Sequence, residues 1–557
     1  MKKFYIVLGM ASLLFINGLT AQEFVNNVLI GTGGIYGNED DHVTVSAYSP
    51  VNDYVTLLGE VMTESIQDLA LDGNFVYVAA QDSLAKFDIS TGEKTAVTVC
   101  SNVNQLLVSD GKLFVSRWGN PEDNIFVKIY DAGDLSPVSD VEGISGDAAD
   151  MMMANDTLYV AVNGGWTGTE GKLAVINSDY IVEREINFGT DAVGIFDLFY
   201  YDGKIYSVNR TPYSATTGSI TAYDVSTTVF SNILLNHVTG KGFDRYENVL
   251  YLFLDGGVAS FDMAAGEIIN PQIVPPSTSS FSAGAYDHVN DLFYLAETDY
   301  FSMGTGAIYN AEGELLDTFE AGISTEALLI EYQTDITFDD IDFWVGQGQK
   351  KAMLVVDWND GNEPEALAWG FRWDGDATGQ DLLEAVAAAD SALTVEIAGG
   401  FLNSIFYTGS TLTHEGEGGA NGYYWATYSG TGTGNWYMNQ GISTALSDGD
   451  RFGCSYTDFN PATAPEVPVP ASNPAGISKD VLAFDVYPNP VSNFFVINMN
   501  GIQKVEIFSL QGQKLSEKRN TDNNQSVKTD VSGLAQGIYL VKISAAGKVY
   551  TSKFIKQ

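Results

Sequence analysis

The chain has 557 residues, with 71 Asp or Glu against 27 Lys or Arg and a formal net charge of −44. The last 73 residues carry 9 Lys or Arg and 5 Asp or Glu, so everything ahead of them stands at −48, which excludes nucleic acid and anionic membrane surfaces as partners. Two cysteines, Cys100 and Cys454, exclude a disulfide framework, and 57 Gly with 29 Tyr and 30 Phe suit an all-β chain with frequent turns.

The first element is a leader. Lys2 and Lys3 precede an apolar run from Phe4 to Ile16, and Leu19-Thr20-Ala21 supplies small residues before Gln22. This predicts a signal peptide over residues 1–21. The run is shorter than the ~20 apolar residues of a spanning helix. No Cys follows the cleavage point to accept a lipid, and no later segment reads as transmembrane.

Residues 22–335 carry a repeat: an alternating strand, a polar two-residue turn, a strand near Tyr-Val, a loop, then a strand near Phe-Asp or Tyr-Asp. One copy runs Ile66-Gln67-Asp68-Leu69-Ala70-Leu71-Asp72-Gly73-Asn74-Phe75-Val76-Tyr77-Val78 and on to Phe87-Asp88. Turns at Asp72, Asp110, Asn155, Asp202, Glu247 and Asn290 are spaced by 38, 45, 47, 45 and 43 residues, the period of propeller blades. With a degenerate first unit from Val28 to Tyr54, this predicts a seven-bladed β-propeller, with Ala327 to Tyr332 as a closing strand. The repeat resembles bacterial surface propellers of the YncE or lactonase-like superfamily, a resemblance that implies the fold and leaves the ligand open.

The loops after the second strand of each blade open on one face and are long. They supply Tyr36, Arg117, Trp118, Asn163, Trp166, Asn209, Arg210, Tyr213 and Tyr300 as ligand-binding candidates. Aromatic rings beside amide and guanidinium donors suit a flat, polar-edged ligand. The alternative is that these rings only pack their own loops.

Residues 336–460 hold six of the eight Trp and predict a small α+β domain. Thr378 is a candidate N-cap, with Asp381 three residues on and Leu382, Leu383 and Val386 behind it. Asp357-Trp358-Asn359-Asp360-Gly361 reads as a hairpin turn, since it lacks the alternation and distal Glu of a Ca²⁺ loop. Thr378-Gly379-Gln380-Asp381-Leu382-Leu383, Gly422-Tyr423-Tyr424-Trp425 and Leu446-Ser447-Asp448-Gly449-Asp450-Arg451-Phe452 together resemble the C-terminal domain of transcobalamin-type carriers. That resemblance implies a bound corrinoid (cobalamin) as ligand, with Tyr424 and Trp425 covering it, and hand-over to an outer-membrane transporter.

A Pro-rich linker over residues 461–483 leads to a last domain, residues 484–557, of short alternating strands. Its Phe484-Asp485-Val486-Tyr487-Pro488-Asn489-Pro490, Leu534-Ala535-Gln536-Gly537-Ile538-Tyr539-Leu540 and terminal Lys553-Phe554-Ile555-Lys556-Gln557 resemble the type IX secretion sorting domain. That resemblance implies a small β-sandwich, the secretion machinery as partner and a place outside the cell.

Four His and no Gly-x-Ser-x-Gly, His-Glu-x-x-His or Cys-x-x-Cys leave no catalytic or metal-binding residue to name. The expectation is a mainly β, secreted cell-surface binding protein without a cofactor, taking a small nutrient such as a corrinoid on the propeller loops. Glycan binding, adhesion and a metal-dependent lactonase-like hydrolase stay open beside it.

Overall fold

The computed structural model describes residues 23–472, apart from 36, 39, 214 and 279, and residues 486–557, apart from 488, 499–501, 510–513, 520–525 and 546–547. The leader of residues 1–21 and the junction of the linker with the last domain lie outside the described residues.

Between Glu23 and Thr334 the chain forms seven four-stranded antiparallel sheets. Six take four consecutive strands each, as in Ile66–Asp72, Phe75–Ala80, Ser83–Asp88 and Lys94–Val99. Such up-and-down sheets are propeller blades. Burial falls outward: Phe75–Ala80 is almost wholly buried, whereas Lys94–Val99 alternates toward solvent. The first sheet borrows its innermost strand from the far end, because Ser324–Thr334 pairs along Glu23–Gly33. That strand packs beside Ile66–Asp72 on one side and Ser280–Asp287 on the other.

The polar turns do what their residues allow. Asp110 and Gly111 have φ of 50° and 70°, and Asp202 and Gly203 have 46° and 76°. Two consecutive positive φ values make the hairpin turn whose twist matches the flanking strands. Leu29, Val45, Leu69, Val78 and Phe87 form one apolar cluster between the first two sheets. The other seams are filled in the same way by Val, Leu, Tyr and Phe.

From Trp344 the architecture changes to a mixed sheet. Lys350–Asp357 pairs antiparallel with Ala366–Trp373 and parallel with Arg451–Thr457, which in turn pairs with Tyr424–Gly430. The segment after Asp357 is a hairpin connection that returns at Ala366. Thr378 caps the helix Gly379–Ala389 in a full capping box with Asp381, and Leu382, Leu383 and Val386 are buried against the sheet. Trp358 and Trp369 are fully buried, and their indole N–H groups donate to Ile405 O at 3.0 Å and to Asp390 Oδ2 at 2.9 Å.

The last region has two antiparallel sheets, one of three strands and one of four, built from Val486–Tyr487 to Lys548–Lys556. Phe495, Ile497, Val505, Ile507, Val541 and Phe554 meet in one core between them. No helix among the described residues is long and apolar enough to cross a membrane.

Candidate functional site

The innermost strands of the blades start at one end of the molecule and close around a depression of about 620 Å³. Near its mouth nearly every one of these strands has a β-bulge, at Ile66/Asp68, Val103/Leu106, Ala148/Met151, Ile195/Asp197, Thr239/Gly242 and Phe281/Ala283. A bulge adds a residue and re-aims a side chain. Here it turns a polar group toward the neighbouring blade.

The result is a belt beneath the depression. Leu106 N donates to Asp68 at 2.9 Å, Leu198 N to Asp150 at 2.8 Å, Gly242 N to Asp197 at 2.9 Å, and Tyr286 N to Asp244 at 2.8 Å. Asn104 Nδ2 donates to Ala148 O at 2.7 Å, and Ser282 Oγ to Thr325 O, so six of the seven seams carry such a bond. Burial pushes the Asp68 and Asp244 carboxyls up to about 6 and Asp150 up to about 8, despite the N–H groups that favour the ionised form. These carboxylates lie three to five residues ahead of the polar turns. The repeated Asp-before-apolar pattern was the signal for them, hidden among 71 acidic residues.

Above the belt, Trp118, Trp166, Arg210 and Tyr300 of the loop candidates line the depression. The Arg210 guanidinium grips Asp197 through Nε at 3.1 Å and Nη2 at 2.5 Å, and lies 3.5 Å over the Phe196 ring. Such a planar fork is held in one orientation. The Tyr300 hydroxyl hydrogen-bonds to Glu326, and burial with that neighbouring charge pushes the phenol up to about 12. Burial also raises the Glu326 carboxyl, opposed by Lys241 and Tyr300. Lys241 Nζ donates to Glu326 O at 2.8 Å. Sequence reading missed Lys241, Glu326, Phe196 and Gln105, because they sit on the inner strands rather than on the long loops.

The remaining candidates divide. Tyr213 is 82% exposed just outside the depression, its ring 6.0 Å from that of Trp166. Arg117, Asn163 and Asn209 are buried and are not among the residues that line the depression. Each stands at or just past the end of its strand and is held by side-chain hydrogen bonds. Arg117 holds Ser101 O at 2.8 Å, Asp123 at 2.7 Å and Ile125 O at 2.7 Å, lowering the Asp123 carboxyl to about 2 against the opposing effect of desolvation. Asn163 Oδ1 accepts from Gly165 N at 2.9 Å, and Asn209 Nδ2 donates to Ser219 and Thr221, both at 2.8 Å. Tyr36 lies outside the described residues.

Tyr424 and Trp425 are also removed from the depression. Trp425 is buried, its indole N–H donating to Gly416 O at 3.0 Å, and Tyr424 is exposed on the same strand of the Trp-rich region. That region docks at the opposite end of the inner strands. There Asp335 accepts from Arg451 Nη1 at 2.8 Å and from Thr433 N at 2.6 Å, all buried, and Ala464 N donates to Asn52 at 2.9 Å. The two Trp-rich-region residues therefore cannot cover a ligand on the loop face in this arrangement.

Comparison with known proteins bears on the two ends of the chain unequally. Residues 485–557 match a family described as "Secretion system C-terminal sorting domain". The protein is secreted and attached at the cell surface through the type IX system. No curated protein matches the chain. Among solved structures, a candidate 6-phosphogluconolactonase from Bacteroides uniformis aligns at TM-score 0.42 and 13% identity, covering 55% of this chain and 100% of its own. BamB from Moraxella catarrhalis aligns at 0.37 and 13%, covering 56% and 95%. The computationally designed Ika8 protein aligns at 0.38 and 15%, covering 54% and 91%.

Proposed function

We propose that this secreted protein binds a small organic molecule in the loop-face depression of a closed seven-bladed propeller spanning residues 22–335. In this reading residues 336–460 form a separate domain docked at the other end, a linker of 461–483 follows, and residues 484–557 form a β-sandwich that serves export. The pairing of Ser324–Thr334 with Glu23–Gly33 supports ring closure, and the two sheets around Phe495 and Phe554 support the sandwich.

The observation that carries the function is the convergence of Trp118, Trp166, Arg210 and Tyr300, from four different blades, on one cavity of about 620 Å³. That volume is within the ~300–1,000 Å³ of small-molecule sites. Loops on a rigid ring hold such groups in place before the ligand arrives, which lowers the cost of ordering them on binding. A corrinoid, the ligand implied by the sequence resemblance of the Trp-rich region, would have to be held by the propeller face alone, and it belongs in the test as one ligand among many.

The test is thermal unfolding of the secreted chain against a small-molecule library that includes cobalamin, repeated with Trp118→Ala. A ligand that raises the midpoint of the native chain and not of the variant supports the site. Ligands that stabilise both equally, or no ligand at all, overturn it.

A further inference from the structure

We infer that the depression takes one end of a neutral saccharide chain, which continues out of it across Trp166 and Tyr213; this rests on the depression being the ligand site. The size of the ligand follows from where the aromatic rings lie. Trp166 lines the depression, yet it is 76% exposed, and Tyr213 lies beyond the rim at 82% exposed. Their centroids are 6.0 Å apart and their planes inclined by 39°. Two large rings side by side in water on a folded chain form a patch that a partner covers. Trp118 and Trp166 line the cavity and the Tyr213 ring stands 6.0 Å from that of Trp166 outside it, which fits a ligand longer than the cavity.

The charges narrow its chemistry. Arg210 spends two of its N–H groups on Asp197, and Lys241 donates to the Glu326 carbonyl while its charge acts on the Glu326 and Asp68 carboxyls. Neither cation is left uncompensated to hold an anion, and the chain around them stands at −48 ahead of the last domain. A cationic ligand meets the opposite difficulty. The protein's own guanidinium already lies 3.5 Å over the Phe196 face, and Lys241 stands beside it.

Two neutral acceptors of the lining are also left unengaged. Gln105 Oε1 and Asn104 Oδ1 make no hydrogen bond among the described residues, although both side chains line the cavity and Asn104 is only 4% exposed. Amide oxygens accept from hydroxyl groups, and flat rings pack on the C–H faces of a sugar. A neutral polyhydroxylated ring satisfies both sets of groups at once, and a chain of such rings also covers Tyr213.

The experiment is calorimetric and Trp-fluorescence titration of the full secreted chain with neutral hexasaccharides of β-1,4-linked glucose, xylose and mannose and of α-1,4-linked glucose, with the matching disaccharides, and with hexagalacturonate. The expected result is saturable binding of at least one neutral hexamer, at least tenfold tighter than hexagalacturonate. Trp166→Ala should weaken it about tenfold, and Tyr213→Ala should weaken the hexamer while leaving the disaccharide unchanged. Both side chains are exposed, so circular dichroism and the unfolding midpoint of each variant should match the native chain.

No binding by any neutral hexamer, or tighter binding of hexagalacturonate, overturns the saccharide assignment. If a non-saccharide ligand still binds in a Trp118-dependent way, the site stands and only the saccharide falls. If saccharides bind with neither Trp118 nor Trp166 mattering, both readings fall. An equal effect of Tyr213→Ala on hexamer and disaccharide overturns the extended path.

Discussion

The two ends of the inner strands have been given opposite treatments. Where the strands begin, the rings of Trp166 and Tyr213 stay in water at and just beyond the rim of an open cavity. Where they end, Asp335, Arg451 and Thr433 are withdrawn from water, and the Trp-rich region packs against the first blade. The same strands therefore run between a face that leaves large rings in water and a face where the chain packs against itself. The contrast indicates that exposure at the first end is a property of that end, not of loose packing in the propeller.

The largest effect that would break the contrast lies at the closed end. Arg451→Ala strands the Asp335 carboxylate, which also holds Thr433 N and Oγ1, in a buried setting. Removing one partner of such a pair costs about 3–5 kcal/mol. Urea unfolding should then show the Trp-rich region separating at lower denaturant than the blades. A single unchanged transition would mean that the pair does not hold the two regions together.

The belt between the two ends should give the second effect, as a pH dependence. Asp68 and Asp244 are raised to about 6 and Asp150 to about 8, chiefly by burial, from an ordinary value of 3.8. The folded state then holds more protons than the unfolded chain. Their contribution is complete below about pH 4 and is lost as pH rises through the folded values, so stability declines between about pH 4 and 8. Each pH unit that separates a group's folded pKa from its unfolded one is worth about 1.4 kcal/mol. Asp150→Asn keeps an oxygen for Leu198 N–H and cannot ionise, so it should flatten the upper part of this decline, from about pH 6 to 8, in melting curves. An equal slope in the variant would place the proton elsewhere.

A smaller effect separates a local contact from the ring. Thr378→Ala removes the cap of the only α-helix among the described residues, where Thr378 Oγ1 accepts from Asp381 N and Asp381 accepts from Thr378 N. It should cost about 1 kcal/mol in the unfolding of the Trp-rich region and leave the midpoint of the blades unmoved.

This helix was legible in the sequence because its determinants are local, as were the turns, where Asp-Gly pairs supply positive φ. Loop tips were legible too. What could not be read was which of two adjacent residues faces out: Arg117 and Trp118 are neighbours, yet one is buried as a brace and the other lines the cavity. Strand alternation at the last paired residue decides this, and one residue of uncertainty in the strand end reverses the answer. The belt carboxylates and the docking of Trp425's region depend on contacts between residues dozens to hundreds apart, which no local pattern encodes. Trp residues suggested a ligand surface in the middle region, but there Trp358, Trp369 and Trp425 complete a core with their indole N–H groups satisfied.

The smallest expected effect is the sharpest test of the comparison. Trp166→Ala deletes a side chain that is 76% exposed and whose ring contact is Tyr213, itself 82% exposed. Folding gains little from it, so the change in stability should stay within about 0.5 kcal/mol. Asn163, which shapes the loop beneath, is 4% exposed, and Asn163→Ala removes the acceptor for Gly165 N. It should cost more, about 1 kcal/mol or above, although it removes less surface. Measured side by side in denaturant, a large loss from Trp166→Ala would mean that the ring is part of the loop's own packing, and the open end would then be exposed by chance. A negligible loss, together with the larger one from Asn163→Ala, leaves Trp166 as a residue that the fold holds out but does not use.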